Sequence, residues 1–374
     1  MNRSNSMRIR VLAVVVVIGS ASVFMGCEPR IIPPMTPLVV ANTGSGAWVQ
    51  DNSHSVQFVV ERSFGDDEAN PDALVGWPTI VTADGDHNVY TFDGRAGRIV
   101  SFDSSAAFRW STGSMGQGPG QFENPFSLAV RGNYLFVSNG SGSRLDRFAL
   151  VDGSFVDSRP MRDLGRERAT VIGFSADDEP ILTGQLGTRP GAFIDVVDPQ
   201  ADSARVRIVA DIPELANAPT TTLAQNLAWS GGLITTGYYG AYRHTYYDTD
   251  GAIRRTVTRD LPIPPPVITP QYIQNYSAVN APVRVADDYW LATASWPSNV
   301  DDVVAYDKMD RATRPRLEFA TTVDLFDDAG HLLWSKVYSG GEQAPFGRVL
   351  HADGDKIYVV SGGVVKRMRV EVGS

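Results

Sequence analysis

The fold of this chain is decided by two similar stretches: WPTIVTADGDHNVYTFDGRAGRIVSFDSSAAFRWSTG, which starts at Trp77, and NPFSLAVRGNYLFVSNGSGSRLDRFALVDGSFVDSR, which starts at Asn124. The matching positions are Pro78 and Pro125, Tyr90 and Phe136, Asp93 and Asn139, Arg98 and Arg144, and Phe102 and Phe148. The two prolines are 47 residues apart and the later pairs 46. Self-similarity at a fixed period of this length is typical of propellers and solenoids.

Both stretches predict short strands joined by tight turns. In the first, residues 89–92, 98–102 and 107–110 are β-prone runs separated by Gly, Asp and Ser. Short runs of this kind, bounded by turn residues, indicate antiparallel β-structure. About four strands in 40–50 residues make one blade of a β-propeller. The repeat therefore predicts an all-β chain built of propeller blades.

The two stretches are joined by GSMGQGPGQFENP, residues 113–125. Its glycines, aromatic residue and proline resemble the G-x-G-x-G-x-F-x-x-P linker of NHL repeats, and the SLAV, RGN, LFVSN and RLDRF that follow match the next NHL elements. The resemblance covers residues 77–150 and extends to the bacterial six-bladed propellers built from NHL-like repeats. It implies that Arg98 and Arg144 each brace a neighbouring turn. The linker residues that carry it are Gly116, Gly118, Gly120, Phe122 and Pro125.

Four further units follow with weaker similarity, at residues 171–198, 226–257, 283–337 and 346–372. The count predicts a six-bladed β-propeller of four-stranded antiparallel blades over residues 55–374. The last unit is one strand short, and residues 55–65 can supply that strand. Closing the ring in this way leaves no open sheet edge, which would be an aggregation risk. The enlarged fifth unit leaves seven blades as an alternative.

The N-terminus carries an export signal. Arg8 and Arg10 precede an apolar run over residues 11–26, too short for a membrane span of about 20 residues but typical of a secretory signal peptide. The sequence FMGC that ends at Cys27 resembles the lipobox of bacterial lipoproteins. The resemblance implies cleavage between Gly26 and Cys27, and a diacylglycerol on Cys27, the only cysteine in the chain. Residues 1–26 are therefore predicted to be a lipoprotein signal peptide.

Residues 27–54 are predicted to be the lipidated cysteine and a proline-rich tether. Four prolines between Pro29 and Pro37 disfavour both a helix and a central strand. The expected location is the bacterial cell envelope, with the domain facing the periplasm or the cell surface. Glu28 does not resemble the Asp that retains some lipoproteins at the inner membrane, which favours the outer membrane.

Composition limits the classes of partner. The formal net charge is −9, so the main electrostatic driving force for binding nucleic acid is missing and no such partner is expected. The chain contains no G-x-S-x-G, P-loop or dinucleotide fingerprint. No catalytic residue can be assigned from motifs.

The sequence predicts no metal site and no cofactor. None of the histidines has the spacing of a zinc motif, and each is predicted to be a solvated turn residue. The paired aspartates do not fit a calcium loop and favour turns by themselves, so Ca²⁺ is only a minor alternative. A channel-centred site, with one residue from each blade, stays open because spacing cannot test it. The five histidines are His54, His87, His244, His331 and His351.

One aromatic group stands out as a candidate ligand-binding patch. Neighbouring residues such as Tyr246 and Tyr247 cannot both face one side of a strand. Exposed Tyr and Trp favour contact with a protein, peptide or glycan, but packing between blades, where propellers place many aromatic residues, is the favoured interpretation. The leading expectation is a membrane-anchored, non-catalytic binding or scaffold module, and the alternative is a channel-centred metal-dependent enzyme of lyase or lactonase type. The candidate residues are Tyr238, Tyr239, Tyr242, Tyr246 and Trp296.

Overall fold

The computed structural model shows six small antiparallel sheets arranged in a ring, and this confirms the predicted six-bladed β-propeller. It describes residues 30–31, 38–164, 166–185, 191–198, 203–211, 225–238, 240–269, 273–286 and 288–373. Strands are numbered β1 to β29 in chain order. The predicted signal peptide, with Gly26 and Cys27, lies outside the described residues.

Blades 1 to 3 are meanders in which consecutive strands pair from the centre outwards. Blade 1 contains β4 (Pro78–Ala83), β5 (Val89–Asp93), β6 (Arg98–Phe102) and β7 (Phe108–Thr112). Blade 2 contains β8 (Ser127–Arg131), β9 (Tyr134–Asn139), β10 (Arg144–Ala149) and β11 (Phe155–Pro160). Blade 3 contains β12 (Thr170–Phe174), β13 (Pro180–Gln185), β14 (Gly191–Asp198) and β15 (Ser203–Asp211), with β1 (Arg30–Ile31) added outside β15.

Blades 4 to 6 each carry a variation on this plan. Blade 4 contains β16 (Gln225–Ser230), β17 (Leu233–Tyr238), β18 (Arg243–Tyr247) and β19 (Ile253–Arg259), with β2 (Val39–Asn42) outside β19. Blade 5 has an interrupted inner strand and contains β22 (Ala278–Val279), β23 (Val283–Val285), β24 (Tyr289–Pro297), β25 (Phe319–Asp327) and β26 (Leu332–Tyr338). Blade 6 contains β27 (Val349–Asp353), β28 (Lys356–Ser361), β29 (Val364–Gly373) and β3 (Ser55–Phe64).

The extra length before blade 5 forms no seventh blade. It contains a two-stranded ribbon, β20 (Val267–Ile268) with β21 (Ile273–Gln274). A short helix, α2 (Val303–Asp307), lies between β24 and β25, and the Asp302 carboxylate caps its N-terminus. The alternative of seven blades is therefore wrong, because two residues per strand cannot build a four-stranded sheet.

The ring closes through the N-terminal strand, as predicted. The strand β3 pairs antiparallel with β29 from Ser55 opposite Gly373 to Phe64 opposite Val365. Phe64 is 1 % exposed and packs edge-on against Phe102 of blade 1, with ring centroids 5.9 Å apart. The first segment of the domain thus joins its last blade to its first.

The apolar core lies between blades rather than within them. Between blades 1 and 2, the Phe122 ring lies 5.4 Å from Phe92 and 5.5 Å from Phe148, centroid to centroid. Each blade is sandwiched by two neighbours, so both faces of its middle strands are buried. Every residue of β5, for example, is buried. Among the described residues, no helix is long and apolar enough to cross a bilayer.

The described part of the predicted tether, residues 30–31 and 38–54, lies against the outside of the ring. The strand β2 pairs in parallel with β19 of blade 4. The helix α1 (Ala47–Asp51) contacts β26 of blade 5, and Trp48 packs edge-on against Tyr289 at 5.5 Å. The structure therefore extends the packed domain from residue 55 back to residue 38.

Candidate functional site: the central channel and its two mouths

The innermost strands of the six blades surround a central channel. These strands contact one another cyclically, from β4 through β8, β12, β16, β23 and β27 back to β4. The channel has a volume of about 1240 Å³, somewhat above the range of about 300–1000 Å³ for small-molecule sites. A space of this size can admit an extended segment of a larger ligand.

The two ends of the channel differ in chemistry. Each blade has an even number of strands across its width, so the chain returns to the same end of the ring before the next inner strand begins. All inner strands therefore run in one direction. We call the end at which they begin the front mouth; it carries Trp77, Phe126 and Arg168. We call the end at which they finish the rear mouth; it carries His87 and Asp353.

The front mouth presents two exposed aromatic side chains, Trp77 and Phe126. Each directly precedes an inner strand, in neighbouring blades, and their residues are 64 % and 53 % exposed. Their backbones are fixed: the Trp77 N–H donates to the Asp93 carboxylate (3.1 Å) and the Phe126 N–H donates to the Ser138 carbonyl (2.8 Å). The two rings therefore project from a rigid frame, which lowers the entropy lost when they contact a ligand.

Arginines line the same mouth of this acidic protein. Arg166 pairs with Asp195 and lies 4.6 Å over the Phe193 ring. Burial raises the pKa of Asp195 to about 6, against the lowering effect of the Arg166 guanidinium. Arg168 is exposed at the channel wall and forms no ion pair with any residue in the described ranges. Its guanidinium is available to an anionic group that enters the channel.

The rear mouth gathers a histidine, a carboxylate and a tyrosine at the seam between blades 6 and 1. The Nδ1 atom of His87 lies 3.4 Å from Asp353 Oδ2 and 3.4 Å from Tyr358 Oη. His87 has a φ of 62°, a left-handed conformation that, among residues other than glycine, is adopted most often by asparagine, aspartate and histidine. A second histidine, His351, lines the channel with its ring 5.5 Å from that of Tyr358.

Burial favours the neutral forms of His351 and Tyr358 in this cluster. Burial lowers the pKa of His351 to about 4. Burial likewise raises the pKa of Tyr358 to about 12. An imidazole next to a carboxylate can act as a general acid or base if a substrate reaches it. Among the described residues, no group of three or more His, Cys, Asp or Glu is placed to hold a metal ion.

The sequence does not reveal this convergence, because His87 and His351 come from the first and last blades. Two of the five histidines are also not the solvated turn residues that were predicted. His351 lies in β27 and faces the channel, and His244 lies in β18 and is fully buried. Neither is a solvated turn residue. The turn at His87 does leave a signal in the sequence. The corresponding turn of blade 6 carries a glycine, Gly354, which adopts a similar left-handed conformation.

Three of the five candidate aromatic residues are buried between blades, in agreement with the favoured interpretation, and so they form no exposed patch for a ligand. Tyr242, Tyr246 and Trp296 are 3 %, 0 % and 5 % exposed and belong to the core between blades 4 and 5. Tyr246 and Tyr247 do point to opposite faces of β18, but the second face packs against blade 3. Tyr238 lies in β17, and Tyr239 lies outside the described residues.

A buried ionic network lies beside this aromatic core. Arg259 pairs with Asp324, and their side chains are 4 % and 0 % exposed. The same guanidinium donates to the Ser335 hydroxyl (3.0 Å) and to the carbonyl of Gly44 (2.7 Å). Nearby, the Arg255 guanidinium lies 4.0 Å over the Tyr246 ring. These contacts join blades 4 and 5 to the segment that runs outside them.

The repeated Asp and Asn organise the turns next to the inner strands. The Asp93 carboxylate accepts hydrogen bonds from the backbone N–H groups of Gly76 (2.9 Å) and Trp77 (3.1 Å). At the matching position, Asn139 Oδ1 accepts from the N–H of Glu123 (2.8 Å). Both side chains fix the loop that leads into the inner strand of their own blade, and so they position the front mouth.

The repeated arginines contact the same loops. The Nη2 atom of Arg98 donates to the Leu74 carbonyl (3.2 Å). Arg144 donates from Nη1 to the Gln117 carbonyl (2.8 Å) and from Nη2 to the Gln121 carbonyl (2.7 Å). Each guanidinium thus contacts the loop that leads into the inner strand of its own blade.

The other repeat positions serve the linker and the core. Phe102, Phe122 and Phe148 are fully or almost fully buried. Gly116 and Gly120 have φ values of 149° and 71°, and a Cβ on Gly116 would lie 2.3 Å from the Gln121 side chain. Gly118 lies between them in the linker. Pro78 begins β4, and Pro125 precedes β8 by two residues.

No protein-family model matches the chain, and no curated protein matches it either. Among solved structures, a DUF4221 family member from Bacteroides vulgatus is similar at 10 % identity and TM-score 0.54, over 86 % of this chain and 99 % of that one. A Bacteroides fragilis protein named as exported is similar at 11 % identity and TM-score 0.54, over 89 % and 99 %. Virginiamycin B lyase from Staphylococcus aureus reaches 9 % identity and TM-score 0.43 over 85 % and 99 %, which carries no argument about activity. The two similarities to the Bacteroides proteins show a shared β-propeller fold.

Proposed function

We propose that this protein is an exported, lipid-anchored propeller that binds a protein, peptide or glycan segment at the front mouth of its channel. The observation that carries the proposal is the pair of exposed aromatic residues, Trp77 and Phe126, held by rigid backbones beside an open channel. Exposed Trp is uncommon on surfaces without a partner, and it is enriched where binding energy is concentrated.

The charge around the aromatic pair refines the class of ligand. Arg168 lines the channel wall at this mouth and is exposed. Guanidinium groups recognise carboxylates and phosphates through paired hydrogen bonds. A segment that combines an aromatic or apolar group with a negative charge would satisfy both features.

Export and anchoring are supported by the sequence of the N-terminus. Two arginines, an apolar run and a lipobox-like FMGC follow one another in the order that signal peptidase processing requires. A lipid on Cys27 would hold the domain at the envelope membrane, and the outer membrane is favoured. There the front mouth would meet envelope proteins, peptides or glycans.

Site-specific photo-crosslinking in living cells tests the binding site. A photoreactive amino acid replaces Trp77, Phe126 or, as the control, Val151. Val151 is an even more exposed apolar residue, at 77 %, but it lies in the turn between β10 and β11 at the rear face. We expect one shared adduct from positions 77 and 126 that position 151 does not give. Identical adducts from all three positions, or none, would contradict the proposal.

A second candidate is a channel-centred enzyme of lyase or lactonase type, and the contact between His87 and Asp353 favours it. Elemental analysis of the purified protein, desalted without chelator, tests the metal-dependent form. A stoichiometric divalent metal that is lost in Asp353→Ala but kept in Asp157→Ala would support it. Asp157 is a surface carboxylate of blade 2 and serves as the matched control.

A further inference from the structure

The connection between the second and third strands of blade 5 is far longer than its counterparts. In blades 1, 2, 4 and 6 this connection has two to four residues, whereas in blade 5 it has 21, residues 298–318. Loops longer than about 12–15 residues in a compact domain usually carry a function. We call this stretch the blade 5 loop. Because β24 runs antiparallel to the inner strand β23, it ends at the front, and the loop lies on the same face of the ring as Trp77 and Phe126.

The blade 5 loop is held by its own hydrogen bonds. The Nη2 atom of Arg314 donates to the Met309 carbonyl (2.9 Å), and the same guanidinium lies 5.0 Å over the Tyr306 ring. The Tyr306 hydroxyl donates to the Pro315 carbonyl (2.9 Å). The loop therefore presents a fixed surface, and little entropy is lost when a ligand contacts it.

Contacts with Tyr276 place the blade 5 loop beside the front mouth. Tyr276 lies two residues before β22, the first part of the interrupted inner strand of blade 5. Its hydroxyl donates to the Asp307 carboxylate, and its ring packs edge-on against Tyr306 with the centroids 5.5 Å apart. The loop is thus attached at the point where the inner strand of its blade begins.

The front is also the end of the ring at which aromatic side chains are exposed. Trp77 and Phe126 belong to blades 1 and 2, and Phe319, which is 50 % exposed, directly follows the blade 5 loop. They are the three exposed Trp or Phe residues of the described ranges. In the cyclic order of the inner strands, blade 2 lies opposite blade 5, with Arg168 of blade 3 between them. Exposed apolar side chains therefore lie on opposite sides of the mouth.

The tip of the blade 5 loop is basic. Lys308 and Arg311 are exposed on either side of Met309 and form no ion pair with any residue in the described ranges. The Asp310 carboxylate between them accepts a hydrogen bond from the Ala312 N–H (2.9 Å) and so bonds to the loop itself. Both the tip and Arg168 would therefore attract carboxylates of a ligand. The other carboxylates of the loop lie near its ends or accept hydrogen bonds, and they are Asp301, Asp302, Asp307 and Glu318.

The distance across the mouth sets the length of a ligand that contacts both sides. Sheets that pack face to face lie about 10 Å apart, so a ring of six blades places opposite inner strands about 20 Å apart. An extended polypeptide covers at most about 3.5 Å per residue, and about six residues are needed to cross. A glycan of neutral sugars could reach across but would offer no partner to the cations at the tip.

We propose that the ligand of the front mouth is an acidic, extended peptide segment of at least about six residues that crosses the mouth from Trp77 and Phe126 to the blade 5 loop. The proposal rests on the function proposed above and selects the peptide from its three classes of ligand. Apolar side chains of the segment contact the two walls. Its carboxylates contact Arg168 and the basic tip of the loop.

A library of random 12-residue peptides, selected on the purified full-length protein, supplies the probe. The strongest binders are synthesised with a fluorophore, and their affinity is measured by fluorescence anisotropy. Met309→Asp alters the tip of the loop. Val337→Asp is the matched control, since Val337 is an apolar residue of the same blade with similar exposure (43 % against 45 %) on the outer strand. Trp77→Ala tests the opposite side of the mouth.

The proposal expects selected peptides that carry carboxylates between apolar residues. Their affinity should fall at least tenfold in Met309→Asp and in Trp77→Ala, and it should be unchanged in Val337→Asp. Fragments of four residues, too short to cross the mouth, should bind at least tenfold more weakly than the full peptides.

Full affinity in Met309→Asp together with a loss in Trp77→Ala would overturn the role of the loop and leave the front mouth as the binding site. Oligosaccharides that bind where no peptide is selected would overturn the class of ligand alone. A dimer of the parent protein that Met309→Asp dissociates, measured by sedimentation, would assign the loop to a contact between copies and overturn the proposal. Peptides that bind all three variants equally, or no ligand of either class, would overturn the proposed function as well.

Discussion

His87 in blade 1 and Asp353 in blade 6 lie 3.4 Å apart, Nδ1 to Oδ2, across the seam at which the ring closes. Tyr358 of blade 6 approaches the same nitrogen at 3.4 Å. His87 adopts a left-handed backbone conformation there, and a residue held in such a conformation needs support from its surroundings. The seam therefore carries polar contacts at the rear mouth in addition to the β3–β29 ladder.

Asp353→Asn should lower the free energy of unfolding by less than about 1 kcal/mol, because partly exposed ion pairs contribute little. The two side chains are 29 % and 42 % exposed. Urea titration of the variant and the parent protein measures the difference. A loss above about 2 kcal/mol, beyond the range of exposed pairs, would mean that the seam depends on this contact.

Asp324→Asn should be far more costly, by about 3–5 kcal/mol, because it leaves the buried charge of Arg259 without its partner. Both side chains are almost completely excluded from solvent. Asp157→Asn is the control, since Asp157 pairs with Arg147 at the surface and is 53 % exposed. Equal losses in the two variants, measured by the same titration, would argue against a buried network between blades 4 and 5.

Two substitutions in β3 should separate ring closure from surface effects. Phe64→Ala removes a ring that is 1 % exposed and should cost about 3–5 kcal/mol. Val60→Ala in the same strand removes a side chain that is 48 % exposed and should change stability by no more than about 0.5 kcal/mol. Chemical unfolding of both variants checks this. Similar small losses would show that the N-terminal strand does not hold the ring.

His244 should make the protein sensitive to acid. Burial lowers the pKa of His244 to about 3, from the usual value of 6.5. The unfolded chain then takes up the proton more readily, so the contribution to stability is complete above pH 6.5 and is lost as the pH falls towards 3. The slope reaches about 1.4 kcal/mol per pH unit.

Unfolding midpoints at pH 7 and pH 4.5 measure this dependence. His244→Phe should reduce the difference between the two midpoints, because no proton is taken up at that position on unfolding. His331→Phe is the control, since the His331 side chain is 66 % exposed. The assignment fails if the two variants show the same dependence on pH as the parent protein.

The blades and the closing strand could be predicted because their signals are local. Strands such as β5 and β6 are defined by alternation and by the turns that flank them, and both repeats carry these patterns. The missing strand of the last unit was predicted at residues 55–65 and is found at Ser55–Phe64. Ring closure follows from counting strands, which needs no knowledge of distant contacts.

The strands β1 and β2, which precede the closing strand, could not be predicted, because they are too short to leave a pattern in the sequence. The strands β1 and β2 contain two and four residues and flank prolines. They are strands only because the outer edges of blades 3 and 4 offer them ladder partners. The convergence of His87 with Asp353 is likewise invisible in sequence, since the two residues meet only after the ring has closed.

The sequence left two interpretations of the aromatic residues of blade 4, an exposed patch and packing between blades. In a sheet with one solvated face, either Tyr246 or Tyr247 would have to be exposed. Here both are buried, at 0 % and 5 %, because a neighbouring blade covers each face. In this fold an aromatic residue is therefore a candidate for ligand binding only near the ends of strands, where Trp77 and Phe126 lie.

The ladder between β3 and β29 also determines when the N-terminal strand can pair during folding. Glu61 in β3 bonds Arg367 in β29, and these residues are 306 positions apart in the chain. Contacts over such a span form slowly, because the entropy of closing the intervening loop is lost before the contacts stabilise the fold. During synthesis β3 stays unpaired until β29 has been made. A chain that stops in blade 6 before β29 would leave β3 without its ladder partner, as an open sheet edge that can pair with other chains.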